Sequence, residues 1–142
     1  MFDESTLTSL GMSDHTIPDN SIIASDVFET NGPWMARLDN TEGCWVFPSA
    51  ENFLQVDLGN GLVLVTGVAT QGCYNTQIRE YGYVLEYKLS FSDDGAEWYC
   101  YKDGNEPKVL FIVVLGAVLL VLGGFNKTFT RLIYKCNHCF RV

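Results

Sequence analysis

Histidine is scarce in this 142-residue chain: His15 and His138 are the only two, near opposite ends. The sequence also lacks a nucleophile elbow, a phosphate-binding loop and a metalloprotease motif. An enzyme is therefore not expected, and the carboxylate pair Asp93-Asp94 sits before Gly95 in a turn, where a structural role suffices. Basic residues are few as well, 9 Lys and Arg against 17 Asp and Glu, for a net charge of −8. Nucleic acid is excluded as a partner, because phosphate binding needs a basic surface. Sustained helical periodicity is missing. So is any basic start followed by an apolar stretch over Met1 to Thr6, which leaves export to a later hydrophobic segment or an upstream start.

What is present suffices for one packed domain: 47% hydrophobic and 13% aromatic residues. The charge is unevenly distributed. All 17 acidic residues lie at or before Glu106, giving 5 − 17 = −12 up to Lys108, while Lys127, Arg131, Lys135 and Arg141 make the remainder +4. Five cysteines, Cys44, Cys73, Cys100, Cys136 and Cys139, leave one over under full pairing. Spacing does not pair the first three.

Up to Lys108 the pattern is of short strands punctuated by turns. Leu54, Val56 and Leu58 alternate with Gln55 and Asp57, a period of two that marks a half-buried strand. Gly59-Asn60-Gly61 then supplies a turn, and the apolar run 62–68 is expected to return as its more deeply buried partner. Tyr83, Leu85, Tyr87, Leu89 and Phe91 share one face opposite Glu86, Lys88 and Ser90. Asp93-Asp94-Gly95 predicts a hairpin, with 98–101 as the returning strand. The fold class is all-β, an antiparallel sandwich or barrel. Polar loops 25–34, 39–52 and 71–82 lie between the strands, and loops on a rigid scaffold are where binding residues concentrate.

Several motifs occur together in a family-specific order. They are Leu10-Gly11-Met12, Ile17-Pro18-Asp19, Ile22-Ile23-Ala24-Ser25, and Trp34 with Ala36-Arg37-Leu38 and then Trp45. Next come Phe53-Leu54-Gln55-Val56-Asp57-Leu58-Gly59 and Val65-Thr66-Gly67-Val68-Ala69-Thr70-Gln71-Gly72. Tyr87 to Gly95, Trp98 and Tyr101-Lys102-Asp103 complete the set. This resembles the coagulation factor 5/8 type C (discoidin) domain family over residues 1–108. The resemblance implies a discoidin-like, galactose-binding-like jelly-roll β-barrel whose loops bind phospholipid head groups, glycans or extracellular proteins, and it implies no chemistry. It stops near Lys108, so the strands that close the family's barrel, and its terminal cysteine clasp, are expected to be missing. An incomplete barrel would expose unpaired edges.

By the same resemblance, the ligand-facing loops are 26–33 and 72–81. They offer Val27, Phe28, Tyr74, Gln77, Ile78 and Arg79 as candidate ligand-binding residues. Burying one Phe or Ile contributes roughly 1.5–3 kcal/mol, so one or two tips do not sustain tight lipid insertion. An acidic surface is also repelled by anionic lipid. Glycan or protein is therefore preferred over phospholipid, and inward packing of Phe28 and Ile78 is the competing reading. Trp34, Trp45 and Trp98 are expected in the core. Asp39, Glu42 and Glu51 could offer oxygen ligands to Ca²⁺ but lack a binding-loop signature, so no cofactor is expected.

Residues 109–125 carry no charge, and at 1.5 Å per residue a helix of that length covers about 25 Å, the short end for a membrane span. The basic residues beyond it predict a cytoplasmic C-terminus and an extracellular N-terminal domain. The alternative is that the β-rich start of this stretch serves as a barrel strand. Residues 126–142 are read as a short basic tail with Cys136 and Cys139 as palmitoylation candidates. Cys136-Asn137-His138-Cys139 offers at most three ligands where tetrahedral zinc needs four. The expectation is a membrane-anchored extracellular adhesion or recognition module. The second reading is a non-functional truncated fragment, or a splice or gene-model variant, of a secreted lectin-like protein.

Overall fold

The computed structural model describes residues 9–46, 52–59, 61–65, 68, 70–75, 80–103, 105–107, 110–111, 127–129 and 131–141. They form an all-β fold of eleven strands with two short 3-10 turns at Asp19–Ser21 and Pro33–Ala36.

The alternating pattern over 53–57 gives strand β2 (Phe53–Asp57), with Leu54 and Val56 buried and their neighbours half-buried. Strand β1 (Ile22–Ala24) lies antiparallel to it, setting Ile22 opposite Val56 and Ala24 opposite Leu54. Ile17, Ile22, Leu54 and Val56 make one core cluster, flanked by Met12, Ala24, Ala36, Trp45 and Leu58. Burying such aliphatic side chains contributes about 1.5–3 kcal/mol each.

Strand β5 (Glu80–Ser92) is the longest element. Tyr87 and Leu89 are fully buried on it, while Glu86, Lys88 and Ser90 are half-buried, as the alternation predicts. The hairpin at 93–97 is also where it is expected. Gly95 adopts φ 77°, a left-handed conformation that costs glycine little. The Asp94 carboxylate accepts the Ala96 and Glu97 N–H groups at 2.8 and 3.0 Å. Strand β6 (Tyr99–Cys100) then returns along β5.

One edge of β5 is shared in turn by β4 (Cys73–Asn75), β9 (Leu110–Phe111) and β6. Its other edge is taken by β11 (Arg131–Arg141), which also pairs with β2 through Arg131↔Asp57 to Lys135↔Phe53. The order is β1-β2-β11-β5-β4. Strands β3 (Val63–Val65) and β10 (Lys127–Phe129) form a second, two-stranded sheet, and β7 (Lys102–Asp103) and β8 (Glu106–Pro107) a third. Among the described residues no sheet closes on itself into a barrel.

Three expectations meet this arrangement. The run after Gly59-Asn60-Gly61 does not return along β2, because both edges of β2 are occupied, by β1 and β11; β3 pairs with β10 instead. Within the stretch read as a short basic tail, β10 and β11 both enter sheets, and β11 lies between β2 and β5. Cys136 and Cys139 therefore stand in a strand, on either side of a bulge around Asn137 and His138.

The expected membrane span falls outside the described residues except for Leu110–Phe111, which form β9. Strand β9, inside that stretch, and β11, after it, pair with the same β5. Among the described residues no helix is long and apolar enough to cross a membrane.

Candidate functional site

The loop after β1 is anchored at its root. Ser25 N–H donates to Phe53 O at 3.0 Å, while the Ser25 hydroxyl accepts Phe53 N–H and donates to Asn52 Oδ1, both at 2.9 Å. Beyond it, Asp26 Oδ1 accepts the Val27 N–H at 2.8 Å and Val27 is exposed. Phe28 is half-buried, closer to the inward reading than to a free tip. Its N–H donates to Val46 O at 2.8 Å and its carbonyl accepts both the N–H and the side-chain amide of Asn31. Asn31, at 3% exposure, is thus an internal brace for the turn. Glu29, at φ 51°, carries the reversal between them.

Loop 39–46 packs beside this one. Trp45 Nε1–H donates to Asp26 O at 3.0 Å, and the Asn40 side-chain amide donates to Met35 O at 3.2 Å. Asp39, at φ 59°, donates its N–H to Gln71 Oε1 at 2.8 Å. Covalently, Cys44 is joined to Cys73 across a Cα–Cα distance of 6.1 Å. Cys73 opens β4, and the next residue, Tyr74, is exposed. The described parts of the stretches 25–34, 39–52 and 71–82 are therefore connected, the last of them through β4.

Of the six candidate residues, Val27 and Tyr74 present exposed side chains in this cluster and Phe28 is half withdrawn. Gln77, Ile78 and Arg79 lie outside the described residues. Trp34, expected in the core, is 47% exposed, a correction with a local cause. Its ring lies over Gly32 where a side chain would otherwise stand, so the 3-10 turn Pro33–Ala36 displays it on the surface. Trp45 and Trp98 are half-buried. No sequence signal marks an aromatic as displayed, and spacing gave no pairing for Cys44, so both features were missed.

The surface of the cluster is acidic: Asp26, Glu29, Asp39 and Glu42 are exposed, while Arg37 is buried and ion-paired with Asp19. Of the Ca²⁺ candidates, Asp39 and Glu42 give their N–H groups to Gln71 and Asn40 side chains, and Glu51 lies outside the described residues. Among the described residues no group of three His, Cys, Asp or Glu side chains could hold a metal ion. The perturbed ionisations lie elsewhere. The Glu97 and Ala96 N–H groups hold Asp94 below the usual carboxylate range. The Thr16 N–H does the same for Asp14. Burial pushes the Tyr87 phenol up to about 12.

A rigid β scaffold with tethered, aromatic-bearing loops at one place defines a binding domain. The F5/8 type C domain model matches residues 21–112, and the chain belongs to that family. Lactadherin of Sus scrofa is 41% identical over 108 residues, 66% of this chain, which spans about a quarter of that relative's length. Among solved structures, discoidin II from Dictyostelium discoideum superposes with a TM-score of 0.69 at 12% identity, covering 84% of this chain and 49% of the other. CpGH89CBM32-5 from Clostridium perfringens, in complex with GalNAc-β-1,3-galactose, gives 0.59 at 13% identity, covering 88% and 93%. At these identities the two structures establish the fold alone.

Proposed function

We propose that the chain is an extracellular ligand-binding module that takes a cell-surface glycan, or the glycan-bearing surface of a protein, at the loop cluster. The observation that carries this reading is the exposure of Tyr74, beside the Cys44–Cys73 link, and of Trp34, in the turn that Asn40 of the Cys44 loop bonds at Met35 O. Flat aromatic faces stack on apolar sugar faces, and the neighbouring carboxylates Asp26, Glu29 and Glu42 accept hydrogen bonds from hydroxyls. The disulfide supports an oxidising compartment. The same carboxylates weigh against anionic phospholipid, since desolvating them beside head-group phosphates is unfavourable.

Membership of a binding-domain family and the absence of catalytic motifs support binding without chemistry. Anchorage through 109–125 does not belong to this reading, because β9 within that stretch and β11 after it share β5.

The test is titration calorimetry with GalNAc-β-1,3-galactose and other neutral glycans, alongside phosphatidylserine vesicles. Trp34→Ala and Tyr74→Ala should each weaken glycan binding about tenfold or more, with the melting temperature nearly unchanged. Binding to the vesicles alone, insensitive to both changes, would reject the proposal.

A further inference from the structure

The loop cluster is held by one covalent link whose partners lie outside the buried clusters. Neither Cys44 nor Cys73 belongs to the cluster around Ile22 and Leu54, that around Val65, or that around Tyr87 and Leu89. Cys73 sits on β4, a three-residue edge strand whose ladder is with β5. Cys44 is followed at once by Trp45 and Val46, the residues that receive the first loop: the Trp45 indole donates to Asp26 O and Val46 O accepts Phe28 N–H. Gly43, just before it, packs against Met35 and Asn31. The path from β4 to the exposed Val27 thus runs through the disulfide and two hydrogen bonds. Asp39 N–H to Gln71 Oε1, an exposed contact, runs parallel to it.

From this the geometry points to a positioning role for the Cys44–Cys73 disulfide: it holds the loops that carry Val27 and Trp34 in place against Tyr74. Cutting it loosens this end of the domain more than the sheet. The inference rests on reading these loops as the binding site, but it concerns their order and can be tested without a ligand. A cross-link spanning 29 residues also constrains the unfolded chain. That effect lowers global stability and reaches every amide that exchanges by global unfolding, whereas a positioning effect is local.

Hydrogen exchange on the full chain separates the two. Dithiothreitol supplies two electrons and two protons, so the cystine becomes two thiols while the reductant closes its own disulfide. After reduction, the Phe28 and Asp39 amides should exchange about tenfold or more faster, beyond any change at the amides of Leu54 on β2 and Leu89 on β5. The Cys44→Ser/Cys73→Ser chain should match the reduced protein, and Cys100→Ser, which removes the free half-buried thiol, should match the oxidised one. Equal acceleration at all four amides would overturn the positioning role, as would no acceleration at Phe28 and Asp39.

A second measurement connects order to recognition. If the oxidised chain binds GalNAc-β-1,3-galactose, reduction should weaken that binding about tenfold or more, because the ligand must then order the loops itself. Unchanged affinity counts against the positioning role. Failure of the oxidised chain to bind any glycan counts against the proposed function, and the exchange result still decides the inference.

Discussion

Arg37 and Asp19 stand 18 residues apart and meet through Nη2 and Oδ1 at 2.5 Å, with a second bond from Nε at 3.1 Å. The arginine does more than pair. Nη1 donates to Met12 O at 3.1 Å and Nη2 to Ile17 O at 2.7 Å, so one buried guanidinium fixes the segment leading into β1. The side chain of Arg37 is 4% exposed and that of Asp19 is 61% exposed. The burden of desolvation therefore falls on the arginine, and its carbonyl partners repay part of it.

Arg37→Ala should destabilise the fold by roughly 2–4 kcal/mol, since it leaves buried carbonyls without their donor and removes packing. Arg37→Lys should recover little, because an ammonium cannot reproduce the planar fork. Asp19→Asn should cost less than about 1 kcal/mol, as expected for an exposed partner. Urea unfolding measures all three. A loss for Asp19→Asn equal to that for Arg37→Ala would show that the ion pair, and not the carbonyl bonds, holds the segment.

Elements with a local pattern were legible in the sequence: the alternation of β2, the alternation within β5 and the turn chemistry at Asp94 and Gly95. The resemblance carried the fold class and pointed to the loops. What stayed hidden depends on contacts distant in sequence. Strand β11 pairs with residues some forty to eighty positions away in the chain, and the uncharged run before it suggested a membrane span. The partner of Cys44 is also non-local, 29 residues away. A buried Trp34 is the expectation for an aromatic side chain, yet Gly32 gives its ring a place on the surface.

Topology offers a direct check. With β9 and β11 both paired to β5, these strands are expected on one side of any membrane the protein meets. In cells, epitope tags at Met1 and at Val142 should be equally accessible to antibody before permeabilisation. Access to the first without the second would restore the single-pass arrangement and remove β11 from the sheet.

Removing β11 should abolish cooperative folding. A chain ending at Lys108 loses the strand that pairs with β2 on one side and β5 on the other, which opens two edges in the middle of the sheet. Its thermal melt should be broad and weak, and the chain should associate with increasing concentration. A sharp two-state transition for 1–108 would mean that β2 and β5 find other partners.

Tyr87 should make stability fall at alkaline pH. The phenol is fully buried, and burial raises its pKa from 10.0 to about 12 by disfavouring the charged phenolate. Below pH 10 both the folded and the unfolded chain keep the proton, so the full stability is present. Between pH 10 and about 12 the unfolded chain ionises while the folded chain does not. Stability is then lost with a slope approaching roughly 1.4 kcal/mol per pH unit. Exposed phenols with equal pKa in both states contribute nothing to this slope. Tyr99 adds a smaller shift of the same sign, because its hydroxyl donates to Glu97 Oε2 and that bond favours the neutral form. The comparison is therefore between the natural chain and Tyr87→Phe, by urea midpoint at pH 8, 9, 10 and 11. The gap between the two should be constant up to about pH 9 and then shift in favour of Tyr87→Phe as the pH rises. Parallel curves through pH 11 would show that Tyr87 ionises as readily in the fold as out of it, and that the face of β5 it occupies is open to water.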